Sequence, residues 1–514
     1  MMYVTLYMHF QRSVLHSLIL VSLLFAATFG SDYEIDGKKC LVWGPGLKTE
    51  VVLPVRYFYI QAVSISGENI TQSIGHPGFS VSVTSTLTLH SNLNVDIVDS
   101  GQGLYIVRYR LFEALPDLEI SVTFGGQHVA QSPYYLSGPV YDEHCSYPEP
   151  SPNTWLSVMN CPKSFKQIEE NLSIFKTVDL ENVAKEILKK NDDSSKHGLC
   201  HYKIINNEIY SKSYGEHVDF KDMFDDMLLS ITRKVHLPDI ELLVQLGDWT
   251  GHLEEKGHIT DPLPVFGWSG HDHFHDITMP TYYLVNSTLN MLTGDNFDIF
   301  SIVGNSPTPW ESKTEVGYFC GRDSSQDRLD LVMLARKYPE YIDARFNRML
   351  AFEHDVDKYG DIVEHVPFLD FFKYKYQISI DGTVAPYRLP YLLAGDSVVL
   401  KQDSVYYEHF HLDLQPYVHY IPFKNDLSDL IEKIQWSRDN DEKAKEIGRN
   451  GRKYVLENLT PSDIYCYYVS LFLEYSKRLK SPPLLADDSW THINQHKQPC
   501  RCNKRFSNKY GDEL

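Results

Sequence analysis

The segment Gly317–Leu331, reading GYFCGRDSSQDRLDL, constrains the chain most. It reads as a strand end, a tight glycine turn and the first turns of a helix. Gly321 permits a sharp change of backbone direction. Ser324-Ser325-Gln326-Asp327 fits a capping box, and Leu329, Val332, Met333 and Arg336 continue at helical spacing. The open amides of such a helix start attract anions, and Arg322 and Arg328 flank it, so a pyrophosphate suits the place. From Trp155 onward the same alternation recurs. Helical stretches (Phe165–Lys190, Phe220–Lys234) interleave with short apolar strands at Leu242–Leu246, Gln377–Ile380 and Val398–Leu400. This predicts a parallel α/β region, with two nucleotide-type halves as one arrangement of it.

Two further strand ends carry candidate chemistry. Pro238–Leu246 runs into Gly247-Asp248-Trp249, and open α/β sheets hold their ligands just past the carboxyl ends of strands. Asp248 is thus a candidate general base, although local sequence alone favours a turn or cap role for it. Gln377–Ile380 leads into Asp381-Gly382-Thr383-Val384-Ala385-Pro386-Tyr387-Arg388. Here Arg388 can bind phosphate oxygens bidentately and Tyr387 can stack on a base or sugar, against the plainer reading of a turn with a surface ion pair. The run His271-Asp272-His273-Phe274-His275-Asp276 invites a zinc reading, but no further Cys or His group stands at the required spacing, and a polar cleft-lining loop is preferred. Asp355-Val356-Asp357 and Asp439-Asn440-Asp441 read as solvated faces. Gly-x-Ser-x-Gly, P-loop and His-Glu-x-x-His signatures are lacking, so those hydrolase, NTPase and metalloprotease classes gain no support.

The ends point to a compartment. Arg12, the apolar run Val14–Phe25 and the small residues Ala26, Ala27 and Gly30 have the layout of a signal peptide over residues 1–30, too short to span a bilayer, and no later stretch could. Gly511-Asp512-Glu513-Leu514 is similar to the KDEL/HDEL retention address, with glycine in the first position. Eight cysteines permit full pairing, and sequons stand at Asn69, Asn171, Asn286 and Asn458. Cys466 is expected to pair with Cys145 or Cys161. A net charge of −20 disfavours a nucleic-acid partner. Residues 31–140 are expected to be all-β, with runs at Val51–Ile60, Phe79–Leu89 and Leu104–Tyr109 split by turns at Gly67-Glu68-Asn69 and Gly125-Gly126. That spacing suggests an immunoglobulin-like sandwich. Within it VDIVDSGQGLYIVRY (Val95–Tyr109), FGGQHV (Phe124–Val129) and Ser132-Pro133 resemble a filamin repeat. Residues 141–199 read as a linker and helical extension, and 483–514 as a tail.

Taken together the second region, 200–482, resembles the CAP10-type family of protein O-glucosyltransferases, in the group that carries KDEL-like ends. Besides the segments above, the resemblance rests on Gly395–Lys401, Tyr407-Glu408-His409-Phe410, Leu414–Pro422 and Asn425–Leu430. It implies a two-Rossmann (GT-B) α/β catalytic region behind the filamin-type all-β sandwich. It implies an inverting, metal-independent transferase of the endoplasmic-reticulum lumen, without cofactor. UDP-glucose is the implied donor, with UDP-xylose a second candidate. Serine hydroxyls of EGF-like repeats, of Notch or fibrillin type, are the implied acceptors, and the KDEL receptor a further partner. By position Asp248 matches the catalytic base. Gly321, Arg322, Arg328 and the loop Thr383, Val384, Ala385, Pro386, Tyr387 and Arg388 match donor-binding positions. Trp268, Ser269, His275 and Asp276 match a cleft lining. One departure stands out. The family pattern Phe-Arg-Gly is here Phe319-Cys320-Gly321, which removes a fixed charge and adds a thiol. A non-catalytic lumenal client-binding protein with a decayed donor site is the competing reading.

Overall fold

The computed structural model describes residues 34–75, 78–86, 93–180, 198–215, 218, 220–250, 263–293, 297–306 and 308–494. The expected signal peptide, the GDEL end and Cys500 and Cys502 lie outside the described residues, as does the second half of the helix expected over Phe165–Lys190. Of that helix the described part is Lys166–Leu172. The chain divides into two compact units.

The first unit comprises residues up to Leu47, Tyr57–Tyr109 and Asp117–Ser137. Among its described residues, strands β1 (Leu41–Trp43), β2 (Arg56–Gln61), β4 (Val95–Asp99) and β5 (Leu104–Tyr109) form one sheet in the order β1-β2-β5-β4. Strands β3 (Ser80–Thr84), β6 (Leu115–Phe124), β7 (Gln127–His128) and β8 (Tyr134–Val140) form the other. Alternation along β6 turns Leu118, Ile120 and Val122 inward while their neighbours are only half-buried. Phe79 joins the two layers by packing against Tyr105 and Phe124, at ring centroid distances of 5.2 and 5.6 Å.

The second unit holds the rest, including the short segments Lys48–Arg56 and Arg110–Pro116, so it does not begin at a single cut near residue 140. Its first sheet orders as β14-β12-β11-β9-β10-β21, from β9 (Leu199–Ile205), β10 (Glu208–Tyr214), β11 (Ile240–Val244), β12 (Val265–Gly267), β14 (Ile277–Thr278) and β21 (Thr491–Ile493). Only β11, β12 and β14 run parallel; β9, β10 and β21 join antiparallel. This half therefore departs from a purely parallel nucleotide-type half. The cause is local: Asn206 and Asn207 both adopt positive φ, +52° and +66°, which makes a two-residue hairpin turn where a parallel crossover would need a dozen residues.

The second sheet is parallel throughout, in the order β16-β15-β17-β18-β20, from β15 (Thr314–Arg322), β16 (Ile342–Arg348), β17 (Tyr374–Ser379), β18 (Val398–Gln402) and β20 (Ile421–Phe423). Helices Gln326–Lys337, Leu430–Asp439 and Asp441–Asn458 supply Leu329, Val332, Ile434 and Ile447 to its core, against Ile378 and Leu400. The chain steps from β15 to one side, then returns to build on the other. The strand order therefore reverses between β15 and β17, and the crevice at their carboxyl ends is where this architecture holds ligands. The disulfide Cys161–Cys466 ties the segment after helix Pro152–Val158 to helix Pro461–Ser476, one of the two pairings expected. Cys40, Cys200 and Cys320 are unpaired and buried, so the eight cysteines do not all pair. No helix among the described residues is long and apolar enough to cross a membrane.

Candidate active site

The crevice is built from three strand ends. β15 stops at Gly321-Arg322 and helix Gln326–Lys337 starts four residues later. The helix is capped by Ser325, whose Oγ accepts from the Arg328 amide, so the cap lies one residue beyond Ser324 and its third helical residue is Arg328 rather than an acid. Ser325 Oγ also donates to the Asp381 carbonyl at 2.9 Å, which ties the helix start to the end of β17.

Arg328 points back under this corner. Its Nε donates to the Asp381 carbonyl at 2.9 Å, Nη1 to the Arg322 carbonyl at 3.0 Å and Nη2 to the Ile380 carbonyl at 3.4 Å. It is 6% exposed. Three of the five N–H groups of this fork are given to backbone, so Arg328 ties the strand ends together and keeps two donors besides. Arg388 reaches the same place, giving Nη1 to the Cys320 carbonyl at 2.8 Å. Both guanidiniums lie against the Phe319 ring, at 5.4 and 5.6 Å from its centroid. Arg322 is exposed at the strand end. Burial pushes Arg328 down to about 9 and the charge of Arg388 adds to that, while the carboxylates of Asp381 and Asp323 oppose it. Such a corner is fit for an anion.

The loop after β17 closes the other side. Thr383 is exposed, whereas Val384, Ala385, Pro386 and Tyr387 are buried, so this loop presents backbone more than side chains. Gly382 donates its amide to the Val384 carbonyl at 3.0 Å. Asp381 is a hub that sequence reading passed over as a turn residue: its amide donates to Gln402 Oε1 at 2.8 Å and its carboxylate accepts from the Ser404 hydroxyl. Asp323 was passed over too. Its carboxylate accepts the amides of Leu350, Ala351 and Phe352 at 2.8–2.9 Å. Burial alone would push that carboxyl up, but the three amides outweigh it and hold it low.

Asp248 comes from the other sheet, two residues beyond Leu246. The Trp268 indole donates to the Leu246 carbonyl at 3.2 Å and so fixes the approach. The hydroxyl of Tyr282 is pushed up first by burial, then by the charge of Asp248, while Arg322 opposes. Tyr387 is raised by burial and then by Asp248 as well. Tyr282 and Tyr387 meet edge to face, with ring centroids 5.5 Å apart, and both feel the charge of Asp248. Tyr282 carried no signal in the sequence beyond being an aromatic on an apolar helix.

Trp268 and Ser269 have no exposed surface and support the crevice wall instead of lining it, while His275 and Asp276 are half-buried. His273 and His271 are tied to each other, the His273 amide donating to His271 Nδ1 at 3.0 Å, and among the described residues no three His, Cys, Asp or Glu side chains form a cluster able to hold a metal. The Asn171 amide is buried and hydrogen-bonded to Gln167 and Thr278, which leaves no room for a glycan; Asn69 and Asn458 are exposed and Asn286 half-buried. Cys320 is buried, and its neighbour on β16 is Arg345, whose guanidinium is held by Asp343 at 2.6 Å. The charge missing at position 320 is thus one strand away, and committed to a carboxylate.

Residues 156–510 match the family described as Glycosyl transferase family 90, and residues 34–135 match the Filamin/ABP280 repeat. The chain belongs to glycosyl transferase family 90 and is a glycosyltransferase. Protein O-glucosyltransferase 2 of Danio rerio is 47% identical over 482 residues, covering 93% of this chain and 95% of that protein. Protein O-glucosyltransferase 3 of Homo sapiens is 42% identical over 469 residues, covering 90% and 92%. Protein O-glucosyltransferase 1 of Homo sapiens is 29% identical over 332 residues, covering 63% and 82%.

Proposed function

We propose that the protein moves glucose from UDP-glucose to a serine hydroxyl of a folded EGF-like repeat, with inversion at the anomeric carbon and without a metal, in the endoplasmic-reticulum lumen, on a GT-B arrangement of its two α/β halves. The observation that carries this reading is the gathering of Arg322, Arg328 and Arg388 at the switch point of the parallel sheet, with Asp248 just past a strand end of the other sheet. The names of the relatives, protein O-glucosyltransferases, support glucose as the sugar and a protein as the acceptor.

A serine hydroxyl is a weak nucleophile. Asp248 takes its proton as Oγ bonds to the anomeric carbon, and the bond from that carbon to the UDP oxygen breaks on the opposite face. Negative charge grows on the departing diphosphate. Arg322 and Arg388 meet it, with the open amides ahead of helix Gln326–Lys337, while Arg328 holds the two loops in register. Backbone amides of Thr383–Ala385 face the donor, and the KDEL receptor recovers the protein through its tail.

The test is transfer by the purified protein to a folded repeat, read by intact mass, with UDP-glucose and UDP-xylose in parallel. Asp248→Asn should lower kcat by about 10²–10⁴-fold while calorimetric UDP affinity stays unchanged. Full transfer by the variant would remove the assigned base. Absence of any transfer by the wild-type protein with either sugar would favour a client-binding role.

A further inference from the structure

A cavity lies directly beneath the loop Thr383–Arg388. Ser379 and Asp381 reach it from the end of β17, Ala385 and Pro386 from the loop, Lys401 from β18, and Glu408 from the segment that follows β19 (Tyr406–Tyr407). Glu408 is 3% exposed, yet neither Oε1 nor Oε2 has a hydrogen-bond partner in the protein. Ser379 Oγ, equally buried, has none either. Lys401 Nζ donates to the Gln402 carbonyl at 3.1 Å and keeps two further protons to give. Three buried polar groups thus converge on one space with their hydrogen bonds unmade. Native interiors rarely leave such groups unpaired, and the space is about that of a single water molecule.

We propose that Glu408, Lys401 and Ser379 bind an internal water that props the loop Thr383–Arg388, and that Glu408 acts through it as a positioning residue for donor binding. This rests on the reading of that loop as donor-binding. Water fits because the walls mix donors with acceptors, and water alone serves both. The segment bearing Glu408 is itself held across the crevice: β19 pairs antiparallel with β13 (Gly270–His271), in the region of the first sheet. A water bonded to Glu408 therefore couples the loop over β17 to a fixed point on the other half. The neighbouring Asp381 carboxyl also borders the cavity and already accepts from the Ser404 hydroxyl.

Charge supports this assignment. Burial pushes Glu408 up to about 8, against the opposing pull of Lys401, so the side chain is chiefly an acid that can both give and accept near neutrality. The titratable groups packed around it are Lys401, Asp381, Tyr387, Tyr391, Tyr406, Tyr407, His409 and His411. His409 and His411 are pushed down by burial, to about 3 and about 4, and so are neutral across the same range.

Two variants of the full chain test it, with UDP affinity by calorimetry and the KM for UDP-glucose as readouts. Glu408→Gln keeps the size and the two-way hydrogen bonding, and should keep wild-type affinity. It should also abolish the weakening of donor affinity that the wild-type protein shows as pH rises through about 8. Glu408→Leu fills the space with carbon and should raise the KM for UDP-glucose about tenfold with a smaller change in kcat. A crystal structure fine enough to show ordered water should place one within hydrogen-bond distance of all three side chains. Equal UDP affinity in the wild-type and Leu proteins, or an empty cavity, overturns the proposal. If the Leu variant does not fold, the pH profile of Glu408→Gln decides alone: a profile matching wild type sinks the idea. Failure of the wild-type protein to bind UDP at all would instead overturn the functional reading beneath it.

Discussion

At the scale of single residues, two glycines explain why the charged corner can close. A Cβ on Gly382 would stand 2.9 Å from Arg328 Nη2 and 2.9 Å from Ser324 Oγ; one on Gly321 would stand 3.0 Å from Arg388 Nη2 and 3.0 Å from the Phe319 ring. Neither needs a left-handed backbone, so their purpose is close approach by a guanidinium and not the turn that Gly321 and Asp381-Gly382 suggest in sequence. Ser324 can swing aside, but Arg328 is held by three carbonyls. Gly382→Ala is therefore expected to dislodge the Arg328 fork and weaken UDP binding by about tenfold, roughly the worth of one lost hydrogen bond to a charged group. Calorimetry checks the first effect. Thermal melting should show a loss of only a few degrees, because the site sits at the surface end of the sheet. The positions of Arg322, Arg328 and Arg388 were legible from strand ends and helix spacing. That Arg328 would be spent on backbone was not, because its three acceptors come from positions 322, 380 and 381, and only the β15–β17 pairing brings those together.

At the scale of elements, the parallel sheet was the legible part. Two of its strands, β15 and β17, run into Gly321 and Asp381-Gly382, and β17 and β18 are almost wholly buried, as parallel strands covered on both faces are. The first sheet was less legible. Its antiparallel hairpin depends on two asparagines in left-handed backbone, Asn206-Asn207, and an Asn-Asn pair is a weaker turn signal than Asn-Gly. Helix Lys166–Leu172 ends at Ser173, whose hydroxyl turns back to the Glu170 carbonyl at 2.8 Å. The extension is held by hydrogen bonds such as Arg478 Nε to the Leu172 carbonyl at 3.2 Å, and by a covalent link. Cys161–Cys466 closes a span of 305 residues, and in the chain-entropy account long loops gain most from closure. Cys161→Ser is expected to cost roughly 2–4 kcal/mol, read as a lower denaturant midpoint for the catalytic unit. Reduction of the wild-type protein should lower the midpoint at least as far, since Cys145 is disulfide-bonded as well. Cys320 offers no competing partner, since burial pushes its thiol up and away from the reactive thiolate.

At the scale of the whole molecule, the sequence suggests two domains cut near residue 140, and the division by packing runs differently. Lys48–Arg56 and Arg110–Pro116 lie within the residues matched to the filamin repeat, 34–135, yet they belong to the larger unit. Bonds within that unit show why. Lys48 Nζ donates to the Val158 carbonyl at 3.4 Å, and buried Arg56 donates Nη2 to the Tyr141 carbonyl at 3.3 Å and Nη1 to the Lys48 carbonyl at 2.9 Å. A linear cut cannot keep these segments with the catalytic unit. Such a cut was the natural reading because composition changes once, at the Pro- and acid-rich stretch after Val140, whereas packing is free to interleave. A fragment of residues 141–514 should therefore be soluble but weakened: its Tm should fall by several degrees relative to the full chain, the shift expected for about 1–2 kcal/mol in a unit of this size. UDP affinity should persist, since Asp248, Arg322, Arg388 and the loop over β17 all lie in the fragment. Arg56→Ala in the full chain should reproduce part of the Tm loss by leaving the carbonyls of Lys48 and Tyr141 unpaired. A fragment that melts with the full chain would mean that the two interleaved segments add nothing to the larger unit, and that a single cut describes the molecule after all.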